Sequence, residues 1–207
     1  MTVAELTRRA AVMATRGGRV ILGITGPPGA GKSTLAVALV EALGAGRAAY
    51  VGMDGFHLSN AVLERLGRRD RKGAIDTFDD RGYACLLARL ARARPGDAPI
   101  YVPVFDRSLE EPIAAGAGVP AEVPLVVTEG NYLLVDEGGW RAARAQMGQV
   151  WYVDAPEPER LARLIARHEA YGKPPAQARA WALGSDQVNA RLIATTMPRA
   201  DLVVRVV

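Results

Sequence analysis

Apolar residues fall along the chain in two alternating modes, short continuous runs and longer stretches with one apolar stripe. The runs are Arg19–Thr25 (RVILGIT), Ala48–Met53, Ile100–Phe105, Leu125–Thr128, Val150–Val153 and Leu202–Val206. Runs without a polar face at every second position are the pattern of strands buried on both sides. Between most of them lie helical spacings. Residues 3–16 carry one that stops at Gly17-Gly18, and Ser33–Leu43 carries another that stops at Gly44. LLARLARAR (Leu86–Arg94) and the arginine-bearing stretch around Arg160–Arg167 continue the series. This alternation predicts an α/β fold, a parallel β-sheet of about five strands flanked by helices on both faces. Gly67–Phe78, dense in charge, and Glu110–Pro124, interrupted by Pro112, Gly116, Gly118 and Pro120, read as loops. Neither is long enough for a domain linker and no repeat is present, so one domain over residues 1–207, opening with an N-terminal helical segment (1–18), is the expectation.

Composition narrows this picture without changing it. With 207 residues, 49% of them hydrophobic, the chain can bury a sizeable single core. The net charge of +4 is small, and its arginines are spread through Ala-rich helices among many acids. That distribution reads as a solvated basic face and not as a nucleic-acid track. The single cysteine, Cys85, cannot form an internal disulfide, and its place in the helical pattern YACLLARL predicts a buried structural thiol. Charges break up the N-terminal MTVAELTRRAAVMATRGGR, which therefore lacks a signal-peptide core, and no run approaches membrane-spanning length. The expectation is a reduced, soluble, cytoplasmic protein with no membrane and no nucleic-acid partner.

The chemistry is concentrated after the first strand. GPPGAGKST (Gly26, Pro27, Pro28, Gly29, Ala30, Gly31, Lys32, Ser33, Thr34) fits G-x-x-x-x-G-K-[ST] and lies between a predicted strand and a predicted helix. Its glycines let backbone N–H groups turn inward, and the following helix adds its positive end, so a triphosphate is the natural occupant. In such a loop Lys32 reaches the β and γ phosphates and Ser33 gives an oxygen to Mg²⁺. The loop thus points to ATP and Mg²⁺ as cofactors. A second acid is expected at a neighbouring strand end; Glu129 in LVVTEG and Asp54 in YVGMDG both qualify, as ligands of open α/β sheets gather at carboxyl strand ends. Arg160, Arg163 and Arg167 follow i, i+3, i+7 spacing, which by itself describes a basic helical face turned to solvent.

MDGFHLSNAVLERLGRRDRKGAIDTFD (Met53–Asp79) resembles the segment after the second strand of bacterial type I pantothenate kinases, sharing DGF, the following Asn, VLE, DRKG and the closing aromatic-Asp. TEGNYLL resembles the strand-end Glu-Gly of those enzymes, of uridine kinases and of phosphoribulokinases, and the likeness runs with gaps from about Arg19 to the ADLVV tail. The resemblance implies a P-loop NTPase fold and an ATP-dependent transfer of phosphate to the hydroxyl of a small metabolite. It implies further that Asp54 is the base or orienting group, that Glu129 serves Mg²⁺ with Ser33 and Asp54, and that residues of about 160–185 form a lid. Arg167, with Arg163, would close that lid on the moving phosphate, Lys173 would join them or face solvent, and Arg160 is expected at the surface. Asp79, His57, Asp106, Arg107 and Asn189 are the implied acceptor contacts. VFDRSLEE (Val104–Glu111) departs from the corresponding stretch of pantothenate kinases, and Phe105 with its basic neighbour departs from that of uridine kinases. Overall the chain is most similar to small bacterial nucleoside-kinase-like or fructose-transport-associated kinases. The acceptor is left as a sugar, a nucleoside or a pantothenate-like alcohol, and a homodimer is left open. Two other classes compete: a nucleotide switch with a protein partner, whose guanine-reading Asn-Lys-x-Asp is absent, and a nucleic-acid-dependent ATPase, whose basic track and motor motifs are absent.

Overall fold

A computed structural model describes residues 1–15 and 17–205. Val20–Thr25 (β1), Ala48–Gly52 (β2), Leu125–Glu129 (β5), Gln149–Val153 (β6) and Leu202–Val204 (β7) form one parallel sheet in the order β2-β5-β1-β6-β7. Both faces are covered, which explains the continuous apolar runs. Leu22, Ile24, Leu125, Val127, Trp151 and Val153 pack on one side against Val3–Met13 (α1) and Lys32–Leu43 (α2), through Leu6, Ala10, Leu35 and Leu39. Ile21, Val126, Val150 and Tyr152 pack on the other against Asp80–Arg92 (α4) and Gly138–Arg144 (α5), through Tyr83, Leu87 and Trp140. Each such side chain stabilises the fold by about 1.5–3 kcal/mol relative to an exposed one.

α1 begins at a capping box between Thr2 and Glu5 and ends at Met13, short of the expected residue 16. Residue 16 and the expected strand end Val206 lie outside the described residues. Ser59 caps the short helix Asn60–Arg65 (α3), accepting from Val62 N at 3.4 Å.

The third apolar run does not join the parallel sheet. Ile100–Asp106 (β3) pairs antiparallel with Glu111–Val119 (β4), a segment expected to be loop. The pairing is irregular between Val102 and Val104, where Pro103 offers no N–H. The glycines and alanines of β4 carry almost no intrinsic strand preference, so only the partner strand makes it a strand. The hairpin rests on the turn after β2, where a Cβ on Gly55 would lie 2.5 Å from the Pro103 carbonyl oxygen. Only glycine permits that approach.

Cys85 is exposed, against the expectation of a buried thiol. α4 turns Tyr83, Leu87 and Leu90 into the core, and the position between Ala84 and Leu86 falls on its outer side. The arginine-bearing region is Glu157–Ala170 (α6), Pro175–Leu183 (α7) and Ser185–Thr196 (α8). No helix among the described residues is long and apolar enough to cross a membrane.

Candidate active site

Strand register brings the chemistry together. Glu129, the last residue of β5, is level with Ile24 of β1 and Gly52 of β2. The phosphate loop therefore leaves β1, and Asp54 leaves β2, beside the Glu129 carboxylate. Gly26 takes φ +144°, and a Cβ there would sit 2.4 Å from the Val153 carbonyl oxygen. Gly29, at φ +81°, would meet the Arg160 carbonyl oxygen at 2.5 Å. The loop is thus seated on β6 and α6 by backbone contacts that no larger residue allows.

Lys32 is buried at the start of α2, and its Nζ donates to the Pro27 carbonyl at 3.1 Å. Burial, only partly offset by Glu129, brings its pKa down to about 8. Glu129 is 4% exposed and accepts from the Tyr50 hydroxyl at 2.8 Å. Burial and the neighbouring Asp54 raise its pKa, against the pull of Lys32 and the hydroxyls of Tyr50 and Ser33.

Asp54 is gripped by Arg107, whose Nη2 donates to Oδ2 at 2.7 Å. Burial opposes its charged form, but His57, Arg107, Lys32 and Arg167 together outweigh it and hold the carboxyl below its usual range. His57 is pushed the other way: burial lowers its pKa against the attraction of Asp54, so at neutral pH Arg107, Lys32 and Arg167 supply the positive charge. The His57 Nδ1 lies 2.8 Å from the Asp54 carbonyl oxygen, which can only accept, so Nδ1 carries the proton and a neutral ring keeps Nε2 as an acceptor. The imidazole packs at a tilt between Phe78 and Phe105, at centroid distances of 4.0 and 4.8 Å.

One pocket gathers Pro28, Lys32, Ser33, Asp54, His57, Arg107, Glu129, Arg167 and Asn189. Gly26, Pro27, Gly29, Ala30 and Gly31 form the loop backbone beside it. Thr34, Asp79, Asp106 and Arg163 do not line it. Asp79 is the N-cap of α4, accepting from Gly82 N at 2.8 Å, and Asp106 closes the hairpin turn by accepting from Ser108 and Leu109. Arg163 is exposed and pairs with Glu159 at 3.0 Å. Asn189 is buried and donates to the Gly73 carbonyl at 3.3 Å, tying α8 to the DRKG segment.

Arg160 corrects the sequence expectation most sharply. It is 3% exposed, with Nη1 donating to the Pro28 carbonyl at 3.2 Å and Nη2 donating to Gln187 Oε1. At 3.6 residues per turn, residues 160 and 167 share one azimuth while 163 is turned by about 60°. Arg160 is thereby packed under the loop, Arg167, though exposed, lines the pocket about two turns further on, and Arg163 is turned away from it. The pocket also holds residues that sequence reasoning missed: Arg69, Lys72, His168, Tyr171, Trp181 and Asp186. The Lys173 Nζ, whose place the sequence left open, sits 4.9 Å over the Trp181 ring, and His168 Nε2 lies 2.7 Å from Asp186 Oδ2. DRKG was the available signal for Lys72.

The sequence profile of the Phosphoribulokinase / Uridine kinase family matches residues 21–207. The chain belongs to that family. It is 32% identical over 177 residues to a protein of Schizosaccharomyces pombe provisionally named a uridine kinase, covering 81% of this chain and 74% of the relative. It is 32% identical over 198 residues to the uncharacterized protein YggC of Escherichia coli, covering 90% and 77%. A crystal structure from Silicibacter sp. TM1040, of a protein provisionally described as a fructose transport system kinase, superimposes with a TM-score of 0.87 at 38% identity and covers 99% of both chains. As a member of this family the chain is a kinase-type protein acting on small molecules, with the P-loop kinase fold.

Proposed function

We propose that the protein is an ATP- and Mg²⁺-dependent kinase that moves the γ-phosphoryl group to a hydroxyl of a small metabolite. The observation that carries this reading is the meeting of Lys32 on its loop, Glu129 and Asp54 at the carboxyl ends of three adjacent strands. The left-handed glycines leave a cradle of backbone N–H groups suited to a polyphosphate. Ser33, Glu129 and Asp54 are hard oxygen donors. Among the described residues no three His, Cys, Asp or Glu side chains cluster as a metal cage, which suits Mg²⁺, an ion that takes most of its ligands from phosphates and water. Ser33 and Glu129, with Asp54 nearby, would hold Mg²⁺, which would supply neutralisation of phosphate charge.

The chain's own residues do the remainder. Lys32 leaves the Pro27 carbonyl for the β and γ phosphates. Asp54, ionised at neutral pH, orients the acceptor hydroxyl and takes its proton as the oxygen–phosphorus bond forms and the bond to the β,γ-bridging oxygen breaks. Arg167, exposed but lining the pocket, offers a planar fork to the phosphoryl oxygens, and α6–α7 act as the lid that excludes water. A panel of hydroxylated metabolites with Mg-ATP tests the reading, with phosphate transfer measured against background hydrolysis. Transfer to at least one alcohol, abolished by Lys32→Ala and reduced by Ser33→Ala, is expected. ATP hydrolysis with no transfer to any alcohol overturns it.

A further inference from the structure

Away from the phosphate loop the pocket is lined by both signs, Asp54, Glu110, Glu129 and Asp186 among Arg69, Lys72, Arg107, Arg167 and Lys173, and three of the cations come to it from beyond the lid. Arg69 and Lys72 come to it from the DRKG segment and Arg107 from the β3–β4 hairpin. Lys72 is an unusual cation to bury: its side chain is 6% exposed, donating to Asn60 Oδ1 at 2.7 Å and to the Glu110 carbonyl. Its nearest carboxylate, Glu111, stands 3.8 Å away and uses both oxygens to accept from Asn60 N at 2.9 and 3.0 Å. Lys72 and Arg107 flank the same ring, at 5.1 and 5.3 Å from the Phe105 centroid. Arg107 is not spare either. It holds Oδ2 of Asp54, one of the two oxygens open to a reacting hydroxyl. When an alcohol displaces it from Asp54, the guanidinium, 41% exposed at the pocket mouth, is free to turn to another anion. A neutral alcohol offers it nothing in exchange.

Resting on the kinase reading, we propose that the acceptor is an anionic alcohol, a hydroxyl compound bearing a carboxylate or a phosphate ester, whose charged end is bound by Arg107 with Arg69 and Lys72. Arg107 then passes from Asp54 to the acceptor's oxyanion, so arrival of the correct substrate is what frees the base. Arg107 supplies the planar fork that such an oxyanion accepts in two places, and buried Lys72 supplies a fixed point charge. The adjoining Phe105 and His57 rings, tilted by 48° to one another, give the carbon skeleton an apolar edge.

Two measurements on the full chain test this. In the first, Mg-ATP is offered with matched alcohols differing in one ionic group: glycerol, glycerate and glycerol 3-phosphate, then ribose and ribose 5-phosphate. The anionic member of a set should be used with a kcat/KM at least tenfold higher, and the glycerate and phosphate-ester arms tell carboxylate from phosphate. Arg107→Met should erase that preference by raising KM for the anionic compound about ten- to a hundredfold. In the second, inorganic phosphate and malonate are titrated into protein saturated with Mg²⁺ and a non-hydrolysable ATP analogue, which keeps the phosphate loop filled. Binding should weaken about tenfold in Arg69→Gln, a change at an exposed position that leaves the fold intact, and in Arg107→Met. Equal use of neutral and anionic alcohols overturns the proposal while leaving the kinase reading in place. If no alcohol is phosphorylated, the kinase reading fails and the titration decides the anion site: weaker binding in the variants supports it, and equal or absent binding overturns it.

Discussion

Arg160→Met separates a buried positioning arginine from the surface residue that helical spacing suggests. Methionine keeps much of the side-chain length and removes the guanidinium. Lost with it are the bond to the Pro28 carbonyl at 3.2 Å and the bond to Gln187. The ion pair to Glu157, at 3.8 Å with that glutamate 64% exposed, counts for little. Pro28 is itself buried, so its carbonyl is left without a partner. A charge-assisted hydrogen bond contributes about 1.5–3 kcal/mol net and an orphaned buried acceptor costs about 1–3 kcal/mol; the two overlap, giving about 2–4 kcal/mol in all. In a chain of this size 1 kcal/mol moves the melting temperature by about 2–4 °C, so a fall of roughly 4–16 °C is expected by calorimetry. Nucleotide should restore less of that loss than it adds to wild type, because the residue released is part of the loop that holds the triphosphate. Arg163→Met is the control: its exposed pair with Glu159 contributes under about 0.5 kcal/mol. Melting of Arg160→Met within about 2 °C of that control would refute the assignment of Arg160 as the tie between loop and lid.

Asp54→Asn should slow phosphoryl transfer by about two to four powers of ten while leaving ATP affinity within a few-fold, measured by single turnover and by titration; a loss confined to ATP binding makes Asp54 a metal ligand only. Arg167→Ala should lower kcat more than it raises acceptor KM, with partial recovery in Arg167→Lys, and steady-state kinetics showing near-normal kcat would place closure over the phosphate elsewhere. Because burial brings Lys32 down to about 8, the nucleotide-free protein loses that ammonium above about pH 8. ATP binding, which uses the charged form, should be flat below that pH and weaken by up to about tenfold per unit above it, with proton uptake seen by calorimetry in buffers of different ionisation heat; Lys32→Met should show no such slope.

The parts legible in the sequence were those in which a local backbone pattern carries the information. The phosphate loop declares itself through glycines at fixed spacing, and Glu129 and Asp54 through their place at the ends of apolar runs. What the sequence hid depends on partners far along the chain. β4 is a strand only because β3 lies beside it, and its alanines and glycines gave no sign of that. Helical spacing placed Arg160, Arg163 and Arg167 together but could not say which azimuth meets the phosphate loop. Cys85 was misjudged for the same reason, one step of α4 separating core from solvent. Asp79, expected at an acceptor hydroxyl, caps a helix, and Lys72 became visible only once Asn60 and Glu110 were seen to hold it.

The hairpin that carries Phe105 and Arg107 contributes no strand to the parallel sheet and approaches the turn after β2 at Gly55. Its outer end is consequently separable from the sheet. Ile100, Val102 and Val119 anchor the hairpin in the core, whereas the exposed positions near its turn can be rewritten without altering the register that sets Glu129 against Ile24 and Gly52. On the proposed function, a lineage or an engineer changes the acceptor by editing that outer end, provided Ile100, Val102 and Val119 keep their packing and the residue at position 55 stays without a side chain.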